Sequence, residues 1–295
     1  MNIIRYGGPM ARTRKVGSPI GYSGSAGLTG FVSVWATTAI NETITIPTQN
    51  IGTFNAVVDW GDGTIETITT YNGFTHVYAA IGDHTISITG TFPNIYLANG
   101  TEKLKIKRVT NLGTVGWTKF DIAFFGCSNL TEFTAGSTDT SAVTNMFAMF
   151  YGCASLTSLD VSSFDTASVT NMQNTFLGCS ALTSLDVSSF NTSSVSNMQY
   201  MFNGCAGLTS LVGVEDFDIT GLDTTGDLTN FLTVGKMTTA QYDNLLVKWE
   251  AQASGIPAMT ASFGASIHTL GGTAAAAKQT LINTYGWTVQ DGVTP

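Results

Sequence analysis

FYGCASLTSLDVSSFDTASVTNMQNTFLGCSALTSLDVSSFNTSSVSNMQYMFNGCAGLTSL, residues 150–211, carries the unit FxGCxxLTSLDVSSFxTxSVxNMxxxF at a fixed spacing. Its cysteines, Cys127, Cys153, Cys179 and Cys205, step by 26 residues and are the only cysteines in the chain. Leu130, Leu156, Leu182 and Leu208 keep the same step, as do Phe133, Leu159, Leu185 and Leu211. Val143, Val169 and Val195 align, and so do Asn145, Asn171, Asn197 and Met146, Met172, Met198. A unit this short cannot bury its apolar face alone, so the units are expected to stack as coils.

A constant period in the range of about 20–29 residues with LxxLxV is the signature of a leucine-rich solenoid. Leu156, Leu159 and Val161 then alternate inward on a short strand. Asn145, Asn171 and Asn197 are expected to form a ladder whose amides satisfy backbone groups in the bends of neighbouring coils. Met172 and Phe176 are four apart, a spacing that one helical turn accommodates. Ser162, Ser163, Thr166, Ser168 and Thr170 offer hydroxyls to turns. Stacked coils place equivalent cysteines about 4.8 Å apart. With small and apolar neighbours, Cys127, Cys153, Cys179 and Cys205 read as a buried column of free thiols rather than as disulfides. CxxC clustering, which a metal site favours, is absent.

The motif NMxxxFxGCxxLTSLDVSSFxTxxV resembles the BspA-like leucine-rich repeats of bacterial surface proteins, a group also found in mycoplasma lipoproteins and phage genomes. The resemblance covers about residues 104–232. It implies a repeat architecture and a surface protein; it does not specify a ligand.

Upstream, FVSVWATT, ETITIPT, FNAVVDWGDGTIETITTY, THVYAA and DHTISITGTF alternate apolar and polar residues with period two. Asp62-Gly63 after Trp60 marks a tight hairpin turn. Short strands separated by turns read as an antiparallel β-sandwich. VVDWGDGTIET, HVY at His76–Tyr78 and GDHTISITG at Gly82–Gly90 resemble a PKD-type domain over about residues 31–99, although the Phe of that family's WxFGDG turn is missing. The resemblance implies a spacer or adhesive module. LKIKRVTNLGTVGWTKFDIAFFGC, from Leu104, reads as a degenerate first coil with a basic patch of Lys103, Lys105, Lys107 and Arg108.

After Lys236 the period becomes helical. Thr238 and Gln241 have capping-box spacing, and Tyr242, Leu245, Leu246 and Trp249 form one apolar face. A second helix runs through GGTAAAAKQTLINTYGW to Gly286, followed by a short strand near Val289. This ending is expected to cover the open edge of the last coil. The expected fold is therefore mainly β with some α. An arm at 1–30 precedes an Ig/PKD-like β-sandwich at 31–100, a leucine-rich-repeat solenoid at 101–235 and a small α/β cap at 236–295.

The chain has 295 residues, only 11% of them charged, and a net charge of −8. The first 41 residues carry four bases and no acid, while the remainder carries 8 bases and 20 acids. Between Lys119 and Lys236 no Lys or Arg occurs, against eleven acids. Such a surface disfavours nucleic acid. No apolar run long enough to span a membrane occurs. Residues 1–30 are Gly-rich, with Arg5, Arg12, Arg14 and Lys15 but no apolar segment typical of a signal peptide. They read either as a flexible tail or as an attachment arm that orders on a larger assembly.

No catalytic set emerges. His76, His84 and His268 are scattered, and GxxxxGK[ST], HExxH and GxSxG are missing. Asp160 and Asp186 recur with the coil, as do Asp139, Asp165 and Asn191, which marks surface rows rather than a facing acid pair. Asp59, Asp62, Asp139 and Asp165 are weak calcium candidates; carboxylates bonded to their own turns are the favoured reading. No cofactor is expected. The functional expectation is a non-enzymatic virion surface protein: a fibre, decoration or adhesin subunit. It would be held to virion proteins by the basic arm, as a homo-oligomer on the particle, and would touch a host-surface glycan or protein. The alternative is a secreted or cell-surface bacterial adhesin. A polysaccharide-degrading enzyme on a β-scaffold is a third reading, with no support beyond the sandwich.

Overall fold

The computed structural model describes residues 29–98, 100–223, 228–233 and 237–292. The protein is mainly β with two α-helices. Arg5, Arg12, Arg14 and Lys15 lie outside the described residues.

The period-two segments form β1 (Phe31–Thr37), β2 (Glu42–Thr45), β3 (Asn55–Asp59), β4 (Ile65–Ile68), β5 (Thr75–Tyr78) and β6 (Gly82–Thr91). β2 pairs with β5, and β4-β3-β6-β1 make an antiparallel sheet. Alternation sends Ile44 and Tyr78 from the small sheet, and Trp35, Ala56, Val58, Ile86 and Ile88 from the large one, into a common core. The β3–β4 hairpin closes where Trp60 N–H donates to the Thr64 carbonyl at 3.0 Å. Gly61 is required there: its φ is +80°, and a Cβ would lie 2.2 Å from the Thr85 carbonyl oxygen.

The sheet does not stop where the coils begin. β7 (Ile106–Asn111) pairs antiparallel with β1, then β8 (Glu132–Thr134) pairs parallel with β7, and β9 (Ser158–Asp160) with β8. The boundary anticipated near residue 100 is thus crossed by one seven-stranded ladder, β4-β3-β6-β1-β7-β8-β9. β10 (Ser184–Asp186) and β11 (Ser210–Val212) pair parallel as a separate ladder. Phe133, Leu185 and Leu211 are buried in register, whereas Leu159 is half-buried against the same core.

Opposite the strands, each coil passes through a turned segment, and here the expected helical turn is not what forms. N–H groups of Met146, Ala148, Phe150 and Gly152 donate to the carbonyls of Asn171, Gln173, Thr175 and Leu177 in the next coil, at 2.7–3.0 Å. N–H groups of Met149, Tyr151 and Cys153 donate within their own coil, to Met146, Ala148 and Phe150. Phe147 N–H goes to Asn145 Oδ1 at 2.9 Å. Every N–H from 146 to 153 is therefore placed. An α-turn would keep all these donors inside the coil and leave none for stacking. The alternation requires left-handed residues, Ala148 at φ 53° and Gly152 at φ 70°, repeated as Asn174 with Gly178 and Tyr200 with Gly204. Phe124, Phe150, Phe176 and Phe202 stack beneath this segment with centroids 5.7, 5.8 and 5.5 Å apart.

The C-terminal region consists of β12 (Leu228–Leu232), α1 (Thr239–Glu250), β13 (Thr260–Phe263), α2 (Gly272–Asn283) and β14 (Thr288–Gln290). β12, β13 and β14 form a parallel sheet. Thr238 and Gln241 form a reciprocal capping box at the start of α1, and Tyr242, Leu245, Leu246 and Trp249 are its buried residues. Phe231, on β12, ends the phenylalanine column edge-on to Phe202 and meets Trp249 and Phe263.

Candidate functional site

The coil stack is the part of the molecule whose surface repeats, and its geometry is set by three internal columns. The first is the asparagine column. Asn145, Asn171 and Asn197 are half-buried, and their backbones bridge in parallel from coil to coil. Their side chains do not span coils as anticipated. Each Oδ1 accepts from the N–H two residues on, in Phe147, Gln173 and Gln199, at 2.9, 2.9 and 3.0 Å. Asn is suited to this because its short amide mimics a backbone carbonyl and closes a local turn.

The polar groups that do cross between coils belong to threonine. Thr140, Thr166 and Thr192 are almost fully buried. Thr140 Oγ1 donates to the Asp165 carbonyl (3.0 Å) and accepts from the Asp165 N–H (2.8 Å). Thr166 Oγ1 repeats both bonds with Asn191, at 2.9 and 2.8 Å. Thr192 Oγ1 donates to the Asp218 carbonyl at 2.9 Å. A hydroxyl is both donor and acceptor, so one side chain serves both groups of one peptide residue in a bend that no strand pairs. Sequence reasoning had this signal, a Thr recurring before Val143, Val169 and Val195, but could not separate it from the exposed threonines around it.

The third column is sulfur. Cys127, Cys153, Cys179 and Cys205 are buried free thiols. Cys153, Cys179 and Cys205 donate to the carbonyls of Phe124, Phe150 and Phe176 at 3.2, 3.3 and 3.1 Å. Burial pushes all four thiols up, Cys205 to about 12, so none forms a thiolate nucleophile at neutral pH.

Outside these columns the acids are engaged locally. Asp139 Oδ1 accepts from Ser141 Oγ and N–H, and these bonds hold its carboxyl below the usual range. Asp165 accepts from Ala167 N–H, Asp160 from Ser162 and Asp186 from Ser188. In the hairpin, Asp59 accepts from Gly61 N–H, and Asp62 from Thr64 N–H and from His76 at 2.8 Å. Burial raises the Asp62 carboxyl, but the bonds from His76 and Thr64 outweigh it and bring it to about 2. His76 is itself stacked on Trp60. Among the described residues no three His, Cys, Asp or Glu side chains converge as a metal site. Lys105 is held by Glu102 at 2.8 Å and Glu42 at 3.2 Å, so the centre of the basic patch is neutralised.

Two features of the turned segment face outward. Phe125 and Tyr151 stack at 4.5 Å, and Gln173 Nε2 donates to Gln199 Oε1 at 3.1 Å. Neither pair was singled out from sequence. Among the described residues no helix is long and apolar enough to cross a membrane.

A family model described as "Mycoplasma protein of unknown function, DUF285" matches residues 118–230, which span the stacked coils. The chain is similar to that family over this stretch. No curated protein and no solved structure matches the chain.

Proposed function

We propose that the protein is a non-enzymatic surface protein whose stacked coils form a leucine-rich-repeat solenoid of the BspA-like type. It displays that solenoid to a host surface from a PKD-like sandwich that acts as a spacer. The carrying observation is the contrast between inside and outside of the coils. Every repeated polar group in the interior is engaged, while the outside of the coils presents side chains in register without a basic residue between Lys119 and Lys236. Rows of weak polar contacts at fixed spacing suit a repetitive ligand, and several copies on one particle raise avidity without new contacts.

In this reading the protein is a virion fibre, decoration or adhesin subunit. Residues 1–30, with Arg5, Arg12, Arg14 and Lys15, would be its attachment arm, binding acidic virion proteins. The second reading is a bacterial cell-surface or secreted adhesin, favoured by the family description that names a Mycoplasma protein. Antibody labelling of particles and of washed cells from the source culture separates the two. Adsorption of purified full-length chain to bacterial cells tests what they share. Saturable adsorption, kept on deleting residues 1–28 and blocked by antibody raised against the stacked coils, is the expected result. Adsorption undiminished by that antibody, or none by the full chain, would overturn it.

A further inference from the structure

Coils stacked in register are easiest to read by comparing them with one another. Between the coil starting at Cys153 and that starting at Cys179, most changes are small: Ala154 against Ser180, Asp165 against Asn191, Thr170 against Ser196. The large changes are Asn174 against Tyr200, Thr175 against Met201 and Leu177 against Asn203, all within the turned segment. The strand and bend are spelled LTSLDVSSF in both coils. Thr175 and Met201 are both buried, so that change is internal repacking; the changes at Tyr200 and Asn203 are on half-buried outward positions, where folding alone does not ask for new side chains.

The outward positions form a ledge. Phe125 and Tyr151 stack on each other, their planes 12° from parallel. Next to them in the stack lies the Gln173–Gln199 amide pair, followed by Asn174, Tyr200 and Asn203, all half-buried. Ile122, Ala148, Asn174 and Tyr200 hold left-handed backbone at φ 53–61°. For a side chain other than Gly, Asn or Asp that conformation is uncommon and costs on the order of 1–2 kcal/mol. Tyr200 stands there although glycine would be easier.

We infer that this ledge is the ligand-binding face of the stack and that its ligand is a neutral polysaccharide. The inference rests on the adhesion reading above and gives it a face and a ligand class. The outer edges of the stacked Phe125 and Tyr151 rings, with the half-buried ring of Tyr200, offer apolar surface to a sugar ring, and amides match its hydroxyls as both donors and acceptors. Lys103 lies against Gly126 at the Phe125 end, but from there along the ledge no Lys or Arg between Lys119 and Lys236 is present to answer a carboxylate, sulfate or phosphate. A spacing of about 4.8 Å per coil presents these groups as a row along an extended chain.

The test uses full-length protein, immobilised neutral glucan, galactan and mannan, anionic alginate and hyaluronan, and the bacterial cells of the adsorption assay, with and without periodate oxidation of their glycans. Y151A and Asn174→Gly are compared with the strand-face variant Thr157→Lys. Asn174→Gly suits the left-handed backbone, so it folds even if Y151A does not. The expected result is binding to at least one neutral polymer and to untreated cells, weakened tenfold or more by the ledge variants and unchanged by Thr157→Lys. Ledge variants that bind as tightly as the parent, while Thr157→Lys loses binding, overturn the ledge and leave adhesion standing. Undiminished binding to periodate-treated cells identifies a protein receptor and overturns the ligand class. Binding to anionic polymers alone does the same. No binding to polymers or cells overturns the adhesion reading together with this one.

Discussion

The coil stack ends in two unlike ways. At its N-terminal end it continues as backbone. β7 and β8 carry the ladder into β1, Asn111 Nδ2 donates to the Gly30 carbonyl at 2.7 Å, and Trp117 joins Phe31 and Phe92 to Phe120. At its C-terminal end the ladder is closed largely by side chains. Gln252 accepts from Ile219 N–H (2.9 Å) and donates to the Phe217 carbonyl (3.1 Å), while Gln241 donates to the Leu211 carbonyl (3.0 Å). Lys248 pairs with Asp216. A glutamine amide has the same donor and acceptor as a peptide, so it can stand in for the missing coil. Phe202 N–H and Tyr200 N–H still donate to the Phe231 and Thr229 carbonyls of β12, at 2.9 and 3.3 Å, but the β11 edge itself rests on a few replaceable side chains, so single substitutions should matter more there than at the first end.

The harshest way to break this comparison is to remove the C-terminal cap. Deleting residues 238–295 uncovers Phe231 and the β11 edge. The truncated chain is expected to aggregate in size-exclusion chromatography, because open strand edges template pairing. A monodisperse product with unchanged melting would contradict the capping role.

A smaller effect is expected inside the stack. Thr166→Val keeps shape but orphans the Asn191 N–H and carbonyl, so chemical denaturation should show a loss of about 1–3 kcal/mol. Gln252→Leu should cost a similar amount at the C-terminal end. Asn171→Ala removes only a bond within its own coil from a half-buried site, and its loss should be nearer about 0.5–1.5 kcal/mol. Equal losses for Thr166→Val and Asn171→Ala would contradict the assignment of the inter-coil role to threonine.

The smallest effect belongs to the hairpin at the far end of the sheet. Asp62 has a folded-state pKa of about 2, below its ordinary value of 3.8. A depressed carboxylate stabilises the fold above its unfolded pKa and loses that contribution as pH falls through the folded one. Stability should therefore drop between about pH 4 and 2 in the parent and less steeply in Asp62→Asn, as followed by acid titration of melting temperature. Parallel profiles would mean the His76–Asp62 contact is not retained in solution.

How much of this was legible in the sequence depends on the range of each interaction. The coil register was readable because Cys, Leu, Val and Met recur at one step and each packs on its own equivalent. The capping box at Thr238 and Gln241 was readable because it spans four residues. The asparagine column was placed but given the wrong partner, since an amide that closes its own turn and one that bridges coils have the same period. The threonine column went unseen because Thr166 and Thr170 look alike until burial separates them. The union of the antiparallel sheet and the stack was hidden for another reason: Ser33 pairs with Val109, a contact between segments whose local patterns do not name each other.

Native-state hydrogen exchange measures the difference between the two ends most directly. Amides of Val109 and Phe133, at the backbone-paired junction, should exchange only through global unfolding. Amides of α1 and of Ile219 should exchange through a smaller opening of the C-terminal cap that leaves the junction protected. If α1 and Ile219 are protected as strongly as Val109 and Phe133, the two ends are equally secured and the contrast drawn between them is wrong.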